Sequence, residues 1–165
     1  MNRTQYLWCI NILHQAYKSK AVTGVPATPT AAQAILESGY GKNEPYDSET
    51  GKRSYNLFGV KAYPEKGIVG NNGYVECWTH EDINGVLEPK YPCFKAYKSH
   101  KDSFTDHADV LKLPRYKKAF DYPTDPEKFI IEVWRGGYAT DTNYIKKIIP
   151  IIRTLNKIPV WLLNL

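Results

Sequence analysis

The stretch that most constrains this chain is Ala31-Ala32-Gln33-Ala34-Ile35-Leu36-Glu37-Ser38-Gly39-Tyr40-Gly41, which spells an apolar, alanine-rich helix and then its end. Ala31, Ala34, Ile35 and Ser38 recur at helical spacing. Thr28 is placed to cap the start, Pro29 suits a first helical position and Gly39 suits the stop. Glu37 then falls in the last turn, where the negative end of the helix dipole and apolar neighbours both disfavour its charged form and raise its pKa. A carboxyl so placed is a candidate proton donor near neutral pH, although an isolated Glu-Ser-Gly is far more often a solvated residue closing a helix.

At 165 residues the chain suits one domain, residues 1–165, with a sizeable core. Aromatic residues make up 13%, including 13 tyrosines and four tryptophans; core packing claims most of them, and exposed ones suit a groove for sugars. The formal charge of +5 favours polyanions such as nucleic acid or an anionic cell wall. The excess is spread in doublets such as Lys117-Lys118 and Lys146-Lys147, without the spacings of nucleic-acid recognition, and reads as a solvated basic surface.

In residues 1–21, Asn11, His14 and Gln15 interrupt every apolar run, so no signal-peptide core forms. The segment reads as a first helix with Tyr6, Leu7, Ile10, Leu13, His14 and Tyr17 on its buried face. No run approaches the roughly 20 apolar residues that span a bilayer. The expectation is a monomeric protein made in the cytoplasm, without membrane insertion, that meets an external substrate only after lysis or by an unidentified export route.

Residues 42–54 read as a surface loop, and Tyr55-Asn56-Leu57-Phe58-Gly59-Val60-Lys61-Ala62 as a brief helix or an extended corner. Residues 74–81 and 91–97 read as strands of a β-hairpin around Asn84-Gly85, with Pro92 where no ladder bond is needed. A turn centred near Gly85 would set Cys77 and Cys93 opposite each other, within reach of a disulfide, while Cys9 reads as a small buried residue. Beyond the hairpin, Ser103, Asp125 and Asp141 are candidate N-caps. Gly136-Gly137 can stop the helix buried through Phe129, Ile130, Val133 and Trp134. Tyr144, Ile145, Ile148, Ile149, Ile151, Ile152 and Leu155 form the apolar side of a last helix that Pro150 is expected to kink. The fold class is therefore α+β, mainly α, with a hairpin lobe bordering a groove suited to an extended substrate.

Hydrolysis of a glycosidic bond needs one carboxyl to protonate the leaving oxygen and commonly a second to activate water or stabilise positive charge. Glu81, near the hairpin turn, is the candidate second group, with Glu76 and Asp82 as competitors. Tyr138, in Gly137-Tyr138-Ala139-Thr140-Asp141, can offer a hydroxyl to the groove or simply pack. The four histidines are scattered and the three cysteines lack paired ligand spacing, so no metal or other cofactor is expected.

Five motifs occur in order: residues 32–41, Asn56-Leu57-Phe58-Gly59-Val60-Lys61, Thr79-His80-Glu81, Phe94-Lys95-Ala96-Tyr97 and Gly137-Tyr138-Ala139-Thr140-Asp141. Together they resemble the glucosaminidase family, glycoside hydrolase family 73, over nearly the whole chain. The resemblance implies a lysozyme-like fold and cleavage of the β-1,4 bond between N-acetylglucosamine and N-acetylmuramic acid in peptidoglycan glycan strands. It implies Glu37 as general acid, Glu81 as second carboxylate and Tyr138 beside the cleft, with Asn56, Phe58 and Tyr144 shaping or supporting the substrate groove. It leaves open whether Glu81 activates water or the substrate's acetamido group assists. Rival readings are a muramidase or lytic transglycosylase on the same fold, and a non-catalytic wall-binding module.

Overall fold

The computed structural model describes residues 1–83 and 86–163, with the backbone alone at 79–83, 86–88 and 160. Helix α1, Arg3–Thr23, starts at a reciprocal cap: the Asn2 side chain accepts from the Gln5 N–H at 2.9 Å, and the Asn2 N–H donates to the Gln5 side chain at 3.0 Å. Its buried face is Cys9, Ile12, Leu13, Ala16 and Ser19, rotated from the face expected from sequence. Leu7 points outward, 55% exposed. The smaller side chains Cys9, Ala16 and Ser19 let α1 approach its neighbour closely, which outweighs the bulk of Leu7.

That neighbour is α2, Ala27–Glu37, which contacts α1 and two later helices and is buried from Pro29 through Ile35. Helix α2 begins two residues earlier than expected: Pro26 occupies the cap position, without a side-chain cap, and Thr28 lies inside the helix. The Thr30 hydroxyl donates to the Pro26 carbonyl at 2.8 Å, a buried bond within the first turn.

Residues 55–62 form a corner rather than a helix. Its centre is the buried Asn56 amide, whose Nδ2 donates to the carbonyls of Val60 and Lys95 while Oδ1 accepts from the N–H groups of Phe58 and Val60. One side chain thus replaces the backbone ladder that an irregular segment lacks. The corner leads to an antiparallel ribbon of β1, Tyr74–Glu76, β2, Thr79–Ile83, β3, Val86–Lys90, and β4, Cys93–Lys95. Val75 faces Phe94, Glu76 faces Cys93, Thr79 faces Lys90 and Ile83 faces Val86, a single register along the ribbon. The expected Asn84-Gly85 turn lies outside the described residues. The register differs by one step from that needed for a disulfide: the Cys77 N–H donates to the Pro92 carbonyl at 3.1 Å, Cys93 lies opposite Glu76, and both thiols are free.

Helix α3, His100–Leu111, is capped by Ser99; Ser103, the expected cap, is buried inside it. Helix α4, Pro126–Arg135, starts at Asp125 as expected and stops at Gly136-Gly137, where Gly137 takes φ +84°. Helix α5, Tyr144–Leu155, runs through Pro150 as one element. Its cap position is Asn143, because Asp141 makes the preceding turn, its carboxylate accepting the Asn143 N–H at 2.8 Å. The core joins Ile12, Ile35, Leu57, Phe104, Ile130 and Ile152 from all these elements. The result is the expected mainly helical α+β architecture with a β lobe. No helix among the described residues is long and apolar enough to cross a membrane.

The loop after α2 is fastened by an ionic cluster. The Glu44 side chain, 1% exposed, accepts two bonds from Arg53 at 2.8 and 2.9 Å, one from the Tyr55 N–H at 2.9 Å, and lies 3.0 Å from His100 Nε2. Burial alone would raise its pKa, but the hydrogen bonds and charges of His100 and Arg53 outweigh that and hold it at about 2. Glu44→Gln leaves these donors without their anion and is expected to cost about 2–3 kcal/mol in urea denaturation.

Candidate active site

Helix α2 ends at Glu37 because the next residues cannot continue it. Gly39 and Tyr40 take φ +55° and +60°, and the Tyr40 N–H reaches back to the Ile35 carbonyl at 3.0 Å. Gly39 also has no room for a side chain, since a Cβ there would lie 2.6 Å from the Asn43 amide nitrogen. Gly41 lies against Trp8 in the same way, at 2.8 Å. Tyr40 is a non-glycine residue in the left-handed region, a strained conformation that the turn imposes. Ser38 secures the turn: its hydroxyl donates to the Ala34 carbonyl at 2.6 Å and accepts the Gly41 N–H at 3.0 Å.

Glu37 opens into a cleft of about 470 Å³ lined also by Leu36, Tyr138, Thr140, Asp141, Tyr144 and Lys147. The surrounding protein displaces water from its carboxyl and raises its pKa above the ordinary carboxylate range. Asp141 behaves oppositely: the Lys147 ammonium at 2.7 Å and the Asn143 N–H hold its pKa down. Two carboxyls in one cleft are thereby pushed apart, the first toward a proton donor and the second toward a fixed anion.

Tyr138 reaches the cleft from the glycine turn after α4. A Cβ on Gly136 would meet the Tyr116 ring at 2.6 Å and the Arg115 carbonyl at 2.7 Å, so only glycine lets that chain crossing close. The Tyr138 ring lies edge-on to His107 at 5.7 Å and tilted to Tyr144 and Tyr116 at 5.9 and 6.2 Å. Burial, then the proximity of Tyr144, Glu37 and Tyr116, pushes the Tyr138 hydroxyl well above the usual phenol pKa. It therefore stays protonated and acts as a hydrogen-bond donor.

Tyr144 is held by a buried chain that sequence reading did not find. His107 Nε2 lies 3.1 Å from Gln33 Oε1, and Gln33 Nε2 donates to the Tyr144 hydroxyl at 3.3 Å. An amide oxygen only accepts, so this amide orientation places the His107 proton on Nε2. Tyr144 accepts from Gln33 and keeps its own proton for the cleft. Phe58 stacks on the His107 ring at 3.8 Å and meets Phe104 edge-on, so it supports the site from beneath, and Asn56 is engaged in the corner. Tyr116 completes the floor, buried, with its hydroxyl unpartnered among the described residues.

Glu81 lies on β2 opposite Glu88; its side chain, like that of Asp82, falls outside what is described. Glu76 sits exposed at the base of the ribbon. Gln33 was visible in sequence as the polar residue of an apolar helix, but its partners are 74 and 111 residues away. Tyr116 carries no local signal.

The glucosaminidase family, described as mannosyl-glycoprotein endo-beta-N-acetylglucosaminidase, matches residues 13–157, and the chain belongs to this family of glycoside hydrolases. It is 34% identical over 145 residues to the peptidoglycan hydrolase FlgJ of Pseudomonas aeruginosa, covering 87% of this chain and 35% of that protein. It is 35% identical over 136 residues to a probable N-acetylmuramidase of Lactococcus lactis, covering 76% of this chain and 28% of that protein. The chain thus spans only about a third of the length of these relatives. A C-terminally truncated glycoside hydrolase domain of Salmonella typhimurium FlgJ superposes with a TM-score of 0.79 at 30% identity, covering 94% of this chain and 99% of that one. The fold is therefore the lysozyme-like glucosaminidase fold.

Burial takes His107 from its ordinary 6.5 down to about 3, against a smaller upward pull from Asp106. The folded state then binds fewer protons than the unfolded chain between these values, so stability is complete above about 6.5 and falls as the pH drops toward about 3. Urea midpoints across that window are expected to show His107→Gln with a shallower acid slope, by up to about 1.4 kcal/mol per pH unit.

Proposed function

We propose that this domain is a peptidoglycan hydrolase that cleaves the β-1,4 bond between N-acetylglucosamine and N-acetylmuramic acid. The observation that carries the reading is Glu37 itself: a carboxyl with raised pKa, open to a cleft, beside two tyrosines whose pKa values are also raised. Protonated Glu37 donates its proton to the departing sugar oxygen as the glycosidic bond breaks. The Tyr138 hydroxyl lies where it can hydrogen-bond the sugar ring or the forming intermediate, and Tyr144 offers a second donor. Glu81 is the proposed second carboxylate, activating the water that attacks the sugar carbon. The surrounding protein displaces water from part of the carboxyl, which disfavours loss of its proton.

A second route has support from the cleft wall. Asp141, the other described carboxylate lining the cleft, is tied to Lys147, and Tyr138 and Tyr144 line the cleft with Glu37. This favours attack by the substrate's own acetamido oxygen, with Tyr138 steadying the resulting ring. Glu81→Gln separates the two: a loss comparable with that of Glu37→Gln supports the water-activating role, and near-normal turnover supports the acetamide.

Digestion of purified peptidoglycan, followed by borohydride reduction and mass spectrometry, is expected to give reducing-end N-acetylglucosamine. Reducing-end or anhydro N-acetylmuramic acid would replace this reading with a muramidase or a lytic transglycosylase. Glu37→Gln is expected to lower turnover by roughly 10²–10⁴-fold. Because the acid must be protonated, turnover should fall as pH rises through the raised Glu37 pKa. The Glu37→Gln fold should be as stable as the unsubstituted one at neutral pH, since ionised Glu37 is disfavoured by its surroundings.

A further inference from the structure

A second groove lies at the base of the β ribbon, with a volume of about 700 Å³ and a lining separate from that of the Glu37 cleft. Its walls include Asn43, Tyr46, Lys61, Cys77, Trp78 and Phe94. Trp78 and Tyr46 are 55% and 48% exposed, two large rings open to solvent in one concavity. The walls are fastened to each other: the Trp78 N–H donates to the Ser48 hydroxyl at 2.6 Å, and the Cys77 thiol donates to the Tyr46 carbonyl at 3.2 Å. Lys61, the last residue of a sequence motif whose other members build the corner, holds its ammonium 3.8 Å from the centre of the Phe94 ring. Among the described residues it has no carboxylate partner. Glu44, the acid that also borders this groove, is already held by Arg53 and His100.

Two contacts locate the groove beside the candidate site. Asn43 packs under Gly39, two residues after Glu37, and its N–H donates to the Ser38 carbonyl at 2.8 Å. Trp78 precedes Glu81 by three residues at the foot of the same ribbon.

We propose that this groove binds the peptide-bearing part of a peptidoglycan strand, with Trp78 and Tyr46 against the apolar face of an amino sugar and Lys61 paired with a carboxylate of the peptide stem. The proposal rests on the function proposed above. Its chemistry follows from the walls. Aromatic faces take the axial C–H side of a pyranose, and an ammonium whose only described partner is a ring gains a full ion pair from an incoming carboxylate. A neutral amino-sugar polymer would fill the aromatic walls and leave Lys61 unused. An acyl-peptide stem supplies the missing anion, so the groove selects for substituted strands.

The test uses the full chain carrying Glu37→Gln, which leaves bound glycan intact. Two probes are compared by isothermal titration: soluble peptidoglycan oligosaccharides that retain their peptide stems, and the same oligosaccharides after enzymatic removal of the stems and conversion of the lactyl carboxylates so exposed to neutral methylamides. The stem-bearing probe is expected to bind more tightly, by roughly three- to tenfold. Adding Lys61→Gln should erase that difference, adding Lys61→Arg should retain most of it, and adding Trp78→Ala should weaken both probes. Equal binding of the two probes before any change at Lys61, or an undiminished preference in Lys61→Gln, would overturn the proposal, as would the absence of binding by either probe. Release of new reducing ends from peptidoglycan by the unsubstituted chain is measured in parallel. Hydrolysis without stem preference removes this inference alone, whereas absence of hydrolysis removes the function on which it rests.

Discussion

The structure depends on the burial of α2 on nearly every side. A helix surrounded by other helices must present small side chains where their backbones come close, and alanines at 31, 32 and 34 meet that demand. It must also stop where its environment changes from protein to solvent. Glu37 stands at that boundary, so the same packing that covers the helix displaces part of the water around the carboxyl at its end while leaving it open to solvent. Stability and acidity are two results of one arrangement. The buried Gln33 extends the logic, because a polar group inside such a helix is tolerable only when both ends of its amide are hydrogen-bonded, and His107 and Tyr144 do this.

The cleft shows how charge state is set by placement rather than by residue type. Glu37 and Asp141 line the same space, yet among the described residues the first has no ion-pair partner and the second has Lys147 against it. Around them, Tyr138 and Tyr144 are kept in the protonated form by burial and by the neighbouring acid. His107 is kept neutral for a related reason, since its ring is buried flat on Phe58 and the pull of Asp106 is too small to offset the lost hydration. The floor of the site is therefore a set of neutral donors, which can meet a substrate without first giving up strong ion pairs.

The parts legible in the sequence were those fixed by local rules. The end of α2, the cap at Asp125, the glycine stop after α4 and the hairpin all follow from turn residues and periodicity. The face of α1 was misjudged because apolar residues surround much of that helix, and the choice among them is made by how closely α2 can approach. Ser103 and Thr28 have the chemistry of caps, but neighbouring Ser99 and Pro26 took those positions. The Gln33, His107 and Tyr144 chain was illegible because it joins segments far apart in sequence, and Asn56 revealed its motif but not its task. A hydrogen-bond hub and a substrate ligand are spelled with the same letter.

The unbroken register of the ribbon bears on how this lobe can change over evolutionary time. Side chains alternate faces along each strand, so one residue inserted into a single strand would reverse every position between it and the tip. Growth or trimming preserves the pairing when both strands change together, and preserves facing as well only when each changes by two residues. Length variation in the lobe is therefore expected in two-residue steps matched across both strands, and an odd insertion would exchange one face of the ribbon for the other beyond that point.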